Sequence, residues 1–218
     1  MSILEVLKGD KREVGRVFGV TAGLVTNNQD PDGLGRVKVK FPWLSDDNES
    51  DWIRIATMMA GGDRGSFFLP EVEDEVLCAF EHGDINRPYV IGALWNGVEK
   101  PPESNSDGNN NIRKIRSRSG HEIIFDDNGS AGQEKVEIHT KAGHKIVLDD
   151  SLGQEKIEIS DKTGSNSIVI DSVQNSITIS SSLQLKIKAS IIEIEADSML
   201  TIKAGAILTL QGSLVKIN

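Results

Sequence analysis

Apolar and polar residues alternate along this chain at two different spacings, and the change of spacing divides it. In the first part, short strand-like runs stand between turn signals: Val14 to Val25, Gly35 to Phe41, Trp52 to Met58, Glu75 to Phe80 and Tyr89 to Leu94. The breaks hold Asn-Asn-Gln-Asp-Pro-Asp-Gly at 27–33, Asp-Asp-Asn-Glu-Ser at 46–50, Gly61-Gly62, and Gly-Asp-Ile-Asn-Arg-Pro at 83–88, which are residues that turns favour. Val37 and Val39 alternate with Arg36, Lys38 and Lys40, and Val76, Cys78 and Phe80 repeat the pattern. Such alternation gives a strand one face for the core and one for water. Five strands in about 85 residues predict a closed or nearly closed antiparallel barrel.

Further along, Ser119-Gly120-His121-Glu122-Ile123-Ile124-Phe125-Asp126-Asp127 returns as Ala142-Gly143-His144-Lys145-Ile146-Val147-Leu148-Asp149-Asp150, and more loosely as Gly164-Ser165-Asn166-Ser167-Ile168-Val169-Ile170-Asp171-Ser172. Between the copies lie Gln133 to Ile138, Gln154 to Ile159 and Gln174 to Ile179. Each unit reads strand, Asp/Asn/Gly turn, strand. Hairpins of this kind cannot bury a face alone and must stack on something.

After Ser182 the period shortens. Leu185-Lys186-Ile187, Ile192-Glu193-Ile194, Leu200-Thr201-Ile202, Leu208-Thr209-Leu210 and Val215-Lys216-Ile217 begin at steps of 7 or 8 residues. The first and third member of each triplet are apolar, so both point one way from an extended backbone. A solenoid closed by one chain needs about 20 residues or more per coil, and eight cover one side of a triangular prism. Three chains sharing the prism solve this, with Leu185, Ile187, Ile192, Ile194, Leu200, Ile202, Leu208, Leu210, Val215 and Ile217 as the trimer core. Stacked at about 4.8 Å, five such strands advance on the order of 25 Å as a stiff needle. Its last coil, Leu214, Val215, Lys216, Ile217 and Asn218, presents a blunt, partly apolar end that calls for a covering partner.

Composition sharpens the division near residue 103. All six prolines and nine of ten aromatics precede it, whereas isoleucine rises from five before to 19 after. A half rich in β-branched residues, Ser, Thr and Gly suits narrow, repetitive sheet. The net charge of −9 and the lack of any clustered Lys and Arg argue against nucleic-acid binding. No apolar stretch approaches the roughly 20 residues that span a bilayer, and the Ile3, Leu4, Val6, Leu7 group ends too early for a signal-peptide core, so the product is expected to start in the cytosol. One cysteine, Cys78, forms no internal disulfide and reads as a small buried apolar residue.

Candidate chemistry is thin. His121 and His144 occupy equivalent repeat positions, but each precedes a charged residue in a turn-proximal place, and metal binding is set aside. Asp30, Asp32, Asp46, Asp47 and Asp51 lack the spacing of a calcium loop and read as solvated turns. No Gly-x-Ser-x-Gly elbow accompanies the many serines, and Gly33-Leu34-Gly35 is too short for a phosphate loop. No catalytic residue, metal or cofactor is expected, and the chain is not expected to be an enzyme.

Six motifs in the first part resemble one family. Gly35-Arg36-Val37-Lys38-Val39-Lys40-Phe41-Pro42-Trp43, Trp52-Ile53-Arg54-Ile55-Ala56, Leu69-Pro70-Glu71-Val72-Glu73-Asp74-Glu75-Val76, Phe80-Glu81-His82-Gly83-Asp84, Arg87-Pro88-Tyr89-Val90-Ile91-Gly92 and Trp95-Asn96-Gly97 are similar in order and spacing to the OB-fold domain of the VgrG and phage baseplate-spike family. The likeness covers roughly residues 13 to 97 and departs at Glu73, where the family often has Gly, implying a turn of different shape. The family order of OB domain, hairpin section and intertwined three-chain β-helix matches the rest. The resemblance implies a spike at the head of a contractile tail or injection machine, in transient contact with a target membrane. Only about 12 residues precede the barrel, which implies a separate hub trimer above it. The 100–118 stretch leaves no room for the muralytic domain of some phage members. The lack of a His-x-His iron motif implies a separate PAAR-like tip protein at Leu214 to Asn218, with effector cargo as a further partner.

The sequence thus predicts an all-β homotrimer: residues 1–12 for hub contact, 13–98 an OB fold, 99–118 a linker, 119–182 hairpin repeats and 183–218 the needle and tip. Assembly in the cytoplasm and delivery to the target envelope within a phage or injection particle follow from the resemblance. The alternative is a trimeric receptor-binding or glycan-cleaving tail fibre, disfavoured because residues 126–218 hold no aromatic side chain to stack on sugar.

Overall fold

A computed structural model describes residues 16–44 and 49–217. The expected hub contact at 1–12, the start of the first expected strand, Asp46, Asp47 and Asn218 lie outside the described residues. The fold is all-β, and the chain divides into two units at Ser106/Asp107.

The first unit is a barrel built from β1 (Val20–Asn27), β2 (Lys38–Lys40), β3 (Arg54–Ile55), β6 (Glu75–Phe80) and β7 (Pro88–Ala93), with a small hairpin of β4 (Ala60–Gly61) and β5 (Arg64–Gly65) between β3 and β6. The sheet runs β2-β1-β6-β7-β3, with β3 and β7 parallel and the other neighbours antiparallel. Val37 and Ile53 close the circuit by exchanging backbone hydrogen bonds of 3.1 and 2.8 Å. Five strands closed through one parallel pair are the expected OB barrel. Strands β2 and β3 are shorter than the runs 35–41 and 52–58 suggested, because pairing at their ends reduces to single bridges. The break expected at Gly61-Gly62 is the tip of the β4–β5 hairpin.

Inward-facing Val25, Val37, Val39, Phe41, Ile53, Val76, Cys78, Phe80 and Val90 form the core. Cys78 is fully buried, as its alternation predicts, and burial pushes its thiol up to about 12. Gly23 lies beneath Val39: a Cβ there would stand 2.4 Å from Val39 Cγ1, so the β1–β2 approach admits glycine alone. Glu73 has φ +78°, which is the third-position conformation of a type II turn that glycine adopts most easily. Its N–H donates to Val25 O at 2.8 Å, and the Asp74 carboxylate accepts from the Glu71 N–H at 2.8 Å.

The second unit opens with a seven-stranded antiparallel meander: β8 (Ile112–Arg116), β9 (Glu122–Asp126), β10 (Lys135–His139), β11 (Lys145–Asp149), β12 (Lys156–Ser160), β13 (Ser167–Asp171) and β14 (Ser176–Ser180), paired in sequence order. Strand β8 lies in the stretch read as linker. Its Ile-Arg-Lys-Ile-Arg sequence breaks the apolar alternation, so sequence periodicity hid it. Among the described residues no strand pairs beyond Ser180.

Candidate functional site

The meander has no offset between strands, so residues line up in straight rows across it. Because side chains alternate faces, the rows sort into two very different surfaces.

One face is polar. Asp126, Lys135, Asp149, Lys156 and Asp171 form a row of alternating charge, each directly opposite the next. Lys135 Nζ sits 2.7 Å from Glu137 and Lys156 Nζ 3.1 Å from Glu158. The Glu137 carboxylate beside it holds the Lys135 ammonium above its ordinary range. Glu122, nearly buried, lies among Lys114 (3.6 Å), Arg116 (3.2 Å) and His139 (3.4 Å). Opposite charges directly across strands contribute on the order of 0.2–1 kcal/mol per pair and disfavour a slipped register.

The other face is apolar apart from Arg113 at its β8 edge. Its first row is Phe125, Val136, Leu148, Ile157, Ile170 and Ile177, following Arg113. Its second row is isoleucine in all seven strands: Ile115, Ile123, Ile138, Ile146, Ile159, Ile168 and Ile179. Those seven remain 37% to 55% exposed in the single chain. The two rows make one continuous apolar face about 29 Å long at the ordinary strand spacing, and contiguous exposed apolar patches mark surfaces where a partner packs. Arg113 closes it at the β8 edge through an ion pair to Asp127.

The ten residues assigned to a trimer core follow this sheet. Leu185, Ile187, Ile192, Ile194, Leu200, Ile202, Leu208, Leu210, Val215 and Ile217 are each at least half exposed in the single chain, and Leu185 lines the same groove as Ile146, Ile159 and Ile168. Leu214, Val215, Lys216 and Ile217, assigned to tip binding, are all exposed. Among the described residues, the structure pairs none of the terminal triplets with another strand of the chain. Sequence reasoning missed the meander's apolar face as part of the site. The signal was present in triplets such as Ile157-Glu158-Ile159 and Ile168-Val169-Ile170, which carry the same alternation as the later ones.

The residues set aside as ligands have structural partners. His121 Nδ1 accepts the Lys141 N–H at 3.4 Å, and His144 Nδ1 accepts the Lys162 N–H at 3.2 Å. Asn166, at the corresponding place in the third repeat, accepts the Ser182 N–H through Oδ1 at 3.1 Å. One side chain per repeat thus fastens the loop that follows. In the barrel, Asp30 receives two bonds from the Arg36 guanidinium, at 2.8 and 2.7 Å, and the N–H groups of Asp32, Leu34 and Arg36. The guanidinium holds the Asp30 carboxyl well below the usual carboxylate range. Among the described residues no group of three or more His, Cys, Asp or Glu side chains is arranged to hold a metal. No helix is long and apolar enough to cross a membrane.

Residues 21–95 match the type VI secretion system/phage-baseplate injector OB domain family. The type VI secretion system spike protein VgrG3 of Vibrio cholerae is 29% identical over 126 residues, which are 54% of this chain and 12% of that protein. VgrG1a of Pseudomonas aeruginosa is 32% identical over 130 residues, 55% of this chain and 20% of that one. The actin cross-linking toxin VgrG1 of Vibrio cholerae is 30% identical over 118 residues, 50% of this chain and 11% of the toxin. The chain therefore spans a fifth or less of these relatives' own length. With its closed five-stranded barrel, the stretch 21–95 has the fold that this likeness implies, that of an injector OB domain, and the chain is similar to VgrG spike proteins over about half its length.

Proposed function

We propose that three copies of this chain form a spike for a contractile injection machine, of the type VI secretion or phage baseplate kind. The observation that carries this reading is the apolar face of the meander with its isoleucine row. Three such faces turned to one axis would share a dry interior, and the terminal triplets would continue that interior by twining. In this reading residues 13–98 form the barrel, 119–182 together with β8 form a stiff prism, and 183–218 form the needle. The barrel docks beneath a separate hub trimer, Leu214 to Asn218 seat a tip protein that can bring effector cargo, and the assembly transmits contraction force to puncture a target envelope. The VgrG-like sequence supports the spike reading over a sugar-binding or sugar-cleaving fibre, as does the lack of aromatics beyond Phe125.

Sedimentation velocity with light scattering tests it. The expected result is an elongated particle of three times 23.7 kDa, and a compact monomer at micromolar concentration would overturn the reading.

A further inference from the structure

The meander separates charge between its two rows of turns. Turns 117–121, 140–144 and 161–166 lie along one side of the sheet, and turns 127–134, 150–155 and 172–175 along the other. The first side carries Arg118, Lys141 and Lys162, all exposed, against Asp161 alone. The Asp161 carboxylate is taken up within its own turn, accepting from the Asn166 amide at 2.7 Å and the Thr163 hydroxyl at 2.8 Å. The second side carries Asp127, Glu134, Asp150 and Glu155 and neither Lys nor Arg. Among the described residues, the ion pairs of this sheet join groups on its strands and Asp127, and leave out Lys141, Lys162, Glu134, Asp150 and Glu155.

The turns of each side are stacked. A Cβ at Gly120 would lie 3.7 Å from Lys141 Cβ, and one at Gly143 3.5 Å from Lys162 Cβ, so each lysine stem packs on the glycine of the turn before it and the two stand in one column. Successive turns on a side are two strands apart, about 9.6 Å, and those of the opposite side fall midway. Lys141 therefore stands at a height between the 127–134 and 150–155 turns, and Lys162 one strand beyond the latter. The apolar face carries no such polarity, since its isoleucine row reads the same in either direction.

We propose that the two sides recognise each other across chains: Lys141 and Lys162 of one copy pair with Glu134, Asp150 and Glu155 of the next, and these charged corners select neighbours that point the same way. The proposal rests on the three-chain reading. Three sheets whose apolar faces share one axis meet side to side, and threefold symmetry joins the first side of one chain to the second side of the next at every corner. A neighbour turned end for end would instead bring lysine side to lysine side and carboxylate side to carboxylate side. Exposed pairs add little affinity, but like charges set against each other exclude the wrong arrangement, which the apolar rows alone would accept.

Zero-length carbodiimide coupling of the full chain tests it. Within one chain a five-residue strand, about 17 Å, separates the lysine side from the carboxylate side, so an amide between Lys141 or Lys162 and Glu134, Asp150 or Glu155 forms only between copies. In samples shown to be trimers by sedimentation, peptide mapping is expected to find these amides. Lys141→Glu with Lys162→Glu is expected to lower the fraction that refolds to trimer about threefold or more, through like charges at three corners. Adding Glu134→Lys, Asp150→Lys and Glu155→Lys to the same chain is expected to restore it, which a merely local effect on the lysine turns would not allow. Confirmed trimers in which neither lysine couples to any of the three carboxylates would overturn the corner pairing while leaving the three-chain reading intact. So would a charge-exchanged chain that assembles no better than the doubly substituted one. An unsubstituted chain that sediments as monomer overturns the three-chain reading and this proposal with it.

Discussion

Glu73 sits in a backbone conformation that suits glycine, φ +78°, and bonds around the Glu71 to Asp74 turn hold it there. A non-glycine residue in the left-handed region costs about 1 kcal/mol or more. Glu73→Gly is therefore expected to stabilise the barrel by roughly 1 kcal/mol, partly offset by the greater freedom glycine has when unfolded; the midpoint of urea unfolding checks this. Asp161 is a residue of the opposite kind. Bonds from the Asn166 amide, then from Thr163, hold its carboxyl at about 2. Since the folded value lies below the unfolded one of about 3.9, this carboxylate adds stability that is fully present above pH 4 and lost as pH falls toward 2. The β12–β13 loop should accordingly loosen in that window, read as faster hydrogen exchange at Asn166, and Asp161→Asn should remove the pH dependence of that loop.

At the scale of elements, the two faces of the meander make unequal demands. Ile146→Asp puts a carboxylate into the all-isoleucine row, and burying an unpaired charge there costs several kcal/mol; sedimentation should show the trimer lost or much weakened. Glu137→Gln, on the mixed face, removes one partly buried ion pair and should cost about 1 kcal/mol, less than the core charge. Equal effects of the two would contradict the assignment of faces. Much of this was legible in the sequence, because period-two alternation is a local property: the five barrel strands, the 119–127 and 142–150 copies and the buried state of Cys78 all come from spacing. Register is not local. That seven isoleucines share one row depends on equal hairpin offsets, which pairing alone reveals. Strand β8 was hidden because Arg113, Lys114 and Arg116 crowd its five positions, and the β4–β5 arm because its paired residues include two glycines, which carry no pattern.

At the scale of the whole molecule, the proposed trimer makes the terminal triplets decide assembly. Ile194→Asp or Ile202→Asp would set three like charges around one axis, so the needle should fail to form and trimers should be lost in light scattering. Lys186→Ala, between two inward residues, should leave the particle unchanged. Deleting Leu214 to Asn218 should preserve trimers and abolish capture of a PAAR-like tip protein; retained capture would move the tip site elsewhere.

The meander joins each strand to its neighbour in sequence, and one side chain per repeat fastens the following loop: His121, His144, then Asn166. All pairings in that sheet are short-range, so it can fold early on a single chain as it leaves the ribosome. In the proposed trimer the stretch after Ser180 has no such option and waits for companions. Twining thus has a starting edge, β14, and a direction, from there to the C-terminus, like a zip with its slider parked at one end. A chain truncated within the needle would still start correctly and end short, whereas damage to β14 would leave three sound sheets with nowhere to begin.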